Sequence, residues 1–506
     1  MKTNYIKLLL GGCIICLFNT ACYKDQGNYQ YHEINNVDSI TGINKEYAIL
    51  FKDTLRISPK LFATQDQGDT GRYTYRWEAL IDGASSVPGD VSNVLIGSYR
   101  DLSYPVKLRP AGYDCYYRVK DKQTGVEWFR RFHFTVQSPV YQGWVALCDV
   151  KGSVRIDMVS RLGEQDRLIQ DVMTFTNAGL PARHGAKQLV FEYTSAGRQF
   201  YLNTGDGLER FEGENFTWKS TYGIRYEMLT PVNAGFSVDL FYNSPLYMGV
   251  DYLISGKQVF YRNQMMGGKA FGAPVNYVDD EKTAFNPAPF IAGGYGGTSL
   301  HLLYDRDKRR FVVHDAMMSG TKCNSLQDGK LFSYTTGKEL VYMVPTSYGG
   351  GDVFAIMKDD AGKYYTYCIN VTRGGVKQSY YTEMTDAPEL DKATVFAVSN
   401  QLGYVFYAVG GRLYEYDVFI HKATLMADLG TEKISVMKAP FFASYGKDFY
   451  TNLTNSLVVG SYDATRPDTE NGVIRVYSIP DRNDALKLTW SYQGLGKIVD
   501  LVYRER

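Results

Sequence analysis

Val405-Phe406-Tyr407-Ala408-Val409-Gly410-Gly411-Arg412-Leu413-Tyr414-Glu415-Tyr416-Asp417 reads as two short strands joined by a tight turn. The residues on either side of the turn are mostly β-branched or aromatic, the types that pack well on a pleated surface. Gly410-Gly411 supplies the backbone freedom that a two-residue hairpin requires. The same grammar recurs along the chain: an apolar strand, a loop, an alternating strand, a polar turn, and a strand ending in aromatic residues.

From Tyr141 onward seven such groups follow one another. The first holds Gly143-Trp144-Val145-Ala146-Leu147 and Val154-Arg155-Ile156-Asp157-Met158. The others span Gln188 to Trp218, Ala234 to Asn263, Pro287 to Asp315, Lys338 to Val371, Ala393 to Leu429 and Ile434 to Trp490. Their starts lie roughly 45 to 60 residues apart, and units of this size with three or four strands predict a β-propeller. Seven blades is the count, with six or eight as the alternatives. The first group is one strand short, and the chain ends on an apolar strand without partners, Lys497-Ile498-Val499-Asp500-Leu501-Val502-Tyr503. That last strand is expected to complete the first blade and leave the ring without a free edge.

Upstream, residues 37–138 predict a smaller β-domain. Short strands at Tyr47 to Leu50, Thr54 to Ile57, Tyr73 to Glu78, Leu102 to Val106, Tyr113 to Val119 and Phe129 to Val136 are separated by Gly, Asp and Ser turns. That spacing suggests an immunoglobulin-like sandwich. Trp77 is expected in its core. The fold class is therefore all-β, a sandwich followed by a propeller over 139–506.

The chain opens as a secretory signal. A basic start is followed by an apolar run from Leu8 to Phe18, then Asn19-Thr20-Ala21-Cys22. Cleavage before Cys22, with lipid attached to its thiol, makes residues 1–21 a leader and 22–36 a polar tether. Leu10-Gly11-Gly12-Cys13 fits a lipoprotein box better, but leaves only a few apolar residues before it. No later apolar run approaches the ~20 residues of a membrane-spanning helix.

Lys plus Arg number 55 and Asp plus Glu 54, so no basic field for nucleic acid exists. Cys115, Cys148, Cys323 and Cys368 lie far apart and lack C-x-x-C spacing. An even count in an exported protein permits disulfides, but Cys115 and Cys148 sit in strand-like runs, where a lone Cys is usually a small buried apolar residue. H-E-x-x-H, G-x-S-x-G and G-K-[ST] motifs are absent. Of the six His, only His301 and His314 bracket one hairpin, and they read as ordinary strand residues. Asp305-Arg306-Asp307-Lys308 resembles the start of a calcium loop but lacks the required Gly and Glu, so it reads as a turn. No metal and no cofactor are expected, and no catalytic residue is identified.

Tyr is abundant, at 42 residues beside 49 Gly. Two Gly-Tyr loops stand out: Gly293-Gly294-Tyr295-Gly296-Gly297-Thr298 and Thr346-Ser347-Tyr348-Gly349-Gly350-Gly351-Asp352. Both lie between the first and second strands of consecutive blades, hence on one face. Exposed Tyr295 and Tyr348 would offer flat platforms to a sugar ring or a peptide. Replacing both by Ala is expected to weaken binding without lowering the melting temperature.

The whole chain resembles the PKD-like lipoproteins of Bacteroidetes. The likeness rests on Ala21-Cys22-Tyr23-Lys24-Asp25-Gln26-Gly27-Asn28-Tyr29, on Tyr73-Thr74-Tyr75-Arg76-Trp77, and on Gly143-Trp144-Val145 with Arg155-Ile156-Asp157-Met158-Val159-Ser160. The resemblance implies an outer-membrane lipoprotein, lipid-anchored and facing the exterior, beside a starch-utilisation-type importer. Its partners would be a TonB-dependent barrel and a substrate-capturing lipoprotein, with an oligosaccharide or peptide as ligand. It implies a non-enzymatic accessory subunit. A propeller hydrolase or lyase with paired carboxylates on its funnel, and a scaffold for other surface lipoproteins, are the alternatives.

Overall fold

The computed structural model describes residues 34–66, 69–81, 93–162, 165–194, 197–233, 235–244, 249–279, 281–318, 320–442 and 448–505. Cys22 and the leader lie outside them. The chain divides into two compact units, Met1–Ser138 and Pro139–Arg506.

The first unit is a β-sandwich. Its five-stranded sheet runs Glu46–Leu50, Glu127–Gln137, Ala111–Asp121, Tyr73–Ile81, Val94–Gly97, the first pair being parallel. Two strand pairs complete it: Val37–Thr41 with Lys60–Ala63, and Thr54–Ile57 with Leu102–Pro105. Along Ala111–Asp121 every second residue from Tyr113 is buried, the period expected of a strand with one face on a core. Cys115 sits in that row as an unpaired buried thiol. Trp77 is fully buried as expected, 4.2 Å from the Tyr117 ring, and its indole N–H donates to Tyr99 O at 2.8 Å.

The expected tether boundary needs correction at its end. Asn35 is 1% exposed, and its amide donates to Tyr73 Oη at 2.8 Å and Asp121 Oδ2 at 3.1 Å. A short amide that satisfies a buried carboxylate is held in the fold, so the sandwich takes in Asn35, ahead of Val37. Burial alone would raise the Asp121 pKa. The bonds from Asn35, Gln123 N and Arg72 outweigh it and hold the carboxyl at about 2.

The described residues of the second unit form seven sheets, each of three or four antiparallel strands. The second to seventh lie within 186–212, 240–263, 292–325, 339–383, 395–428 and 432–495. The first sheet is built from both ends of the unit. Gln142–Val150, Ser153–Leu162 and Gln165–Ile169 are joined by Lys497–Arg504, which pairs with Gln142–Val150. The expected closure is thus made by hydrogen bonds, with Gly143 opposite Arg504 and Asp149 opposite Lys497. Val499 is the extra residue of a bulge between Leu147 and Cys148.

One cavity of about 480 Å³ is lined by residues in or next to every sheet: Val502, Phe191, Tyr242, Ile291 (just before the strand Ala292–Gly293), Val344, Val398 and Met437 in turn. It is the central channel of the propeller. Asp500 fastens the inner wall, accepting from Leu189 N at 2.9 Å and pairing with Lys438 at 2.6 Å. Arg504, fully buried, donates to Gly213 O at 2.7 Å and Val140 O at 3.2 Å, tying the last strand to the first residues of the unit.

Candidate binding face

The loops between first and second strands meet one another around one end of the channel. Gly351 lies against Tyr295, so close that an added Cβ would stand 2.5 Å from the tyrosine Cβ. Ser347 Oγ donates to Asn400 O at 2.8 Å. Asn400, itself buried, donates to Pro440 O at 3.1 Å and Thr454 O at 3.2 Å in the loop of the seventh sheet. The two Gly-Tyr loops therefore share a face, and that face continues to the closing seam.

Tyr295 and Tyr348 are half-buried, not freestanding. The Tyr348 ring meets Phe354 edge-on at 5.8 Å and covers Gly403, where a Cβ would lie 3.2 Å from the ring. The glycines answer to neighbours: Gly293 abuts His301 Nε2 and Ser244, and Gly294 abuts Val371 O and Thr298. Loop packing thus accounts for the Gly pattern. Tyr348→Ala is expected to lose about 2 kcal/mol, roughly half the cost of deleting a fully buried ring. A thermal melt a few degrees below wild type checks this; an unchanged melt would show that the ring carries no packing load. This alters the expectation of an unaffected melting temperature for that residue.

A second cavity, of about 420 Å³, opens at the seam between the first and seventh sheets. Trp144 and Arg161 come from the first sheet, Trp490 from the outer strand of the seventh, Phe449 from the helix Asp448–Thr454, and Tyr503 from the closing strand. Trp490 Nε1 donates to Asp166 Oδ2 at 2.7 Å across the seam. The Arg161 guanidinium lies 5.1 Å from the Phe449 ring centre. Trp144 and Tyr503 also line the channel, so the two cavities share a wall.

One carboxylate cluster and one lone carboxyl are buried inside the blades. Arg262, 4% exposed, bonds Asp251 at 2.6 Å and Glu227 at 2.5 Å, and Glu192 lies 3.7 Å away. Gln199 and Gln264 amides donate to Glu192 at 2.5 and 2.6 Å. Burial and the Asp251 charge push the Glu192 pKa up. Glu415 is 2% exposed, and neither of its oxygens has a hydrogen-bond partner among the described residues. Burial, then Asp417, raise it to about 8. The channel lining, in contrast, carries one carboxylate, Glu505.

His301 and His314 face each other across one hairpin and are fully buried. His301 Nδ1 lies 2.9 Å from Ser299 O, and His314 Nδ1 lies 2.7 Å from Tyr252 Oη. Burial lowers their pKa values to about 3 and about 4. Among the described residues, no three His, Cys, Asp or Glu side chains are grouped to hold a metal. Asp305 forms a turn, its Oδ1 accepting from Asp307 N and Lys308 N at 2.9 and 3.1 Å. Cys148, Cys323 and Cys368 are buried and unpaired. No described helix is long and apolar enough to cross a membrane.

Residues 22–180 match the model of the PKD-like family. The match covers the sandwich and the first three strands of the propeller unit, Gln142–Val150, Ser153–Leu162 and Gln165–Ile169, but not the closing strand. No curated protein matches the chain. Among solved structures, a quinonprotein alcohol dehydrogenase-like protein from Bacteroides thetaiotaomicron is similar at 12% identity and a TM-score of 0.46, over 93% of this chain and 99% of that one. A DUF4784 family protein from Bacteroides caccae is similar at 9% identity and a TM-score of 0.34, over 78% of this chain and 97% of that one. The β-propeller domain of Cps50 (Swd1) from Myceliophteria thermophila gives 9% identity and 0.33, over 53% and 74%.

Proposed function

We propose that this protein is a non-enzymatic recognition subunit, anchored through Cys22 to the outer membrane and facing the exterior. It serves a starch-utilisation-type importer, binding oligosaccharide or peptide fragments or docking on the TonB-dependent barrel and its capture lipoprotein. The observation that carries the binding part is the single loop face on which an apolar channel mouth and an aromatic seam cavity lie side by side. Concave, mostly apolar surfaces with a few polar groups are what ligand sites are made of. A polysaccharide hydrolase would need two placed carboxylates flanking the bond. Glu192, Asp251 and Glu415 are sealed from solvent, which favours the binder over the enzyme.

Purification of the tagged lipoprotein from gently solubilised outer membranes, followed by mass spectrometry, tests the partner. Recovery of a barrel and its lid is the expected result; recovery of the lipoprotein alone would remove the importer from the reading. Tyr295→Ala, on the same face, is expected to weaken binding of the importer's substrate several-fold. Unchanged titration would take that loop out of the site.

A further inference from the structure

We propose that the cavity between the first and seventh sheets is a sugar-binding site that stacks a neutral pyranose ring against Trp490. The inference deepens the binding reading above and rests on it. The cavity, about 420 Å³, falls within the range of about 300–1,000 Å³ typical of ligand clefts. Its walls combine two kinds of surface. Trp144, Trp490, Phe449 and Tyr503 give flat apolar faces. Asn452, Asn455, Ser478 and Thr489 add polar groups.

Two of the lining residues leave polar atoms unmatched. Tyr503 is 7% exposed and its hydroxyl has no hydrogen-bond partner among the described residues, and the buried Asn455 Oδ1 has none among them either. A buried polar group without a partner costs about 1–3 kcal/mol, so native structures rarely keep one without a reason. A hydroxyl-bearing ligand would supply both a donor for Asn455 Oδ1 and a partner for the Tyr503 hydroxyl. A purely apolar ligand would supply neither.

Ring chemistry points the same way. A pyranose presents an apolar C–H face fringed by hydroxyls, which matches an indole beside amide and hydroxyl groups. The indole is held for this: its N–H is tied to Asp166, which fixes the plane of the ring. That bond also occupies the Asp166 carboxylate. Arg161, the one cation of this lining, lies over Phe449 and makes no ion pair among the described residues, so an anionic sugar is the competing occupant that the hexagalacturonate probe distinguishes.

Intrinsic tryptophan fluorescence and calorimetry on the full mature chain test this. The probes are hexasaccharides of glucose (α-1,4 and β-1,4), xylose, mannose and galactose, with hexagalacturonate and a set of hydrophobic tripeptides alongside. At least one neutral hexasaccharide is expected to bind and shift the emission. Trp490→Ala is expected to weaken it at least tenfold. If that variant melts early, Ser478→Phe, which fills the cavity without removing a wall, should do the same. Undiminished sugar binding in both variants would overturn the site while leaving the binder reading intact. Binding of tripeptides or hexagalacturonate alone would overturn the neutral-sugar class. Silence with every probe would overturn the site, whereas the importer reading stands or falls on the co-purification.

Discussion

Leu501→Asp should unfold the propeller unit. Leu501 is fully buried on the closing strand, opposite Ala146, with its Cδ2 near Gly460 of the seventh sheet. Losing a buried leucine costs about 2–5 kcal/mol. Placing a carboxylate there without a partner adds several more. Together these approach the whole stability of a typical domain, about 5–15 kcal/mol. The change also strikes where the two ends of the unit are joined, so the first and seventh sheets lose their shared wall. The control is Val499→Thr, at the bulge residue that pairs with nothing in the neighbouring strand. It should melt within about 1 °C of wild type, as expected of a mild substitution away from the core ladder. Circular dichroism melts and limited proteolysis read both variants. Cleavage should concentrate after Ser138 in Leu501→Asp. A melt within 2 °C of wild type would mean that the closing strand is not what holds the ring.

The closure was legible because it has a local signature: an incomplete first group and an orphan apolar strand at the other end. The hairpins were legible for the same reason, since Gly410-Gly411 and its flanks carry turn and strand chemistry within a dozen residues. Strands without such chemistry escaped. Ala292–Gly293 and Asn324–Ser325 are two residues each, and Gly375–Glu383, an outer strand, is mostly polar or half-buried. The seam cavity could not be read at all. Trp490 and Asp166 are 324 positions apart and become neighbours only when the ring closes. The nearest signal was the placement of Trp144 and Trp490 in the first and last groups, the two that closure brings together. Tyr295 and Tyr348 drew attention as loop aromatics. What sequence could not show is that the adjoining glycines are spent on contacts with His301, Val371 and Tyr295 itself.

Glu415→Met is expected to stabilise the protein, and Glu415→Gln to separate why. The carboxyl lies in the strand Arg412–Asp417, buried and without a hydrogen-bond partner among the described residues. With a folded pKa of about 8 against an ordinary value of 4.5, it holds its proton at neutral pH. The sign follows from linkage. Between pH 4.5 and 8 the folded state binds the proton that the unfolded state releases. Stability from this group is therefore complete below 4.5 and lost as pH rises through 8. At pH 7 the loss is about 3 kcal/mol, since each pKa unit is worth about 1.4 kcal/mol. Glu192 acts in the same direction. His301 and His314 act oppositely: their folded pKa values lie below 6.5, so their contribution is present above 6.5 and lost as pH falls through about 4 and about 3. Wild type should thus be most stable at mildly acidic pH and weaken toward pH 8. Glu415→Gln removes the charge but keeps an unmatched polar group, so it should flatten the alkaline limb while gaining little at pH 5. Glu415→Met removes both and should gain at every pH, by about 4 °C in Tm at pH 7 for a unit of this size. Melts from pH 4.5 to 8.5 decide it. A Glu415→Met curve that tracks wild type at pH 8 would mean the carboxylate finds a partner or water that offsets its burial.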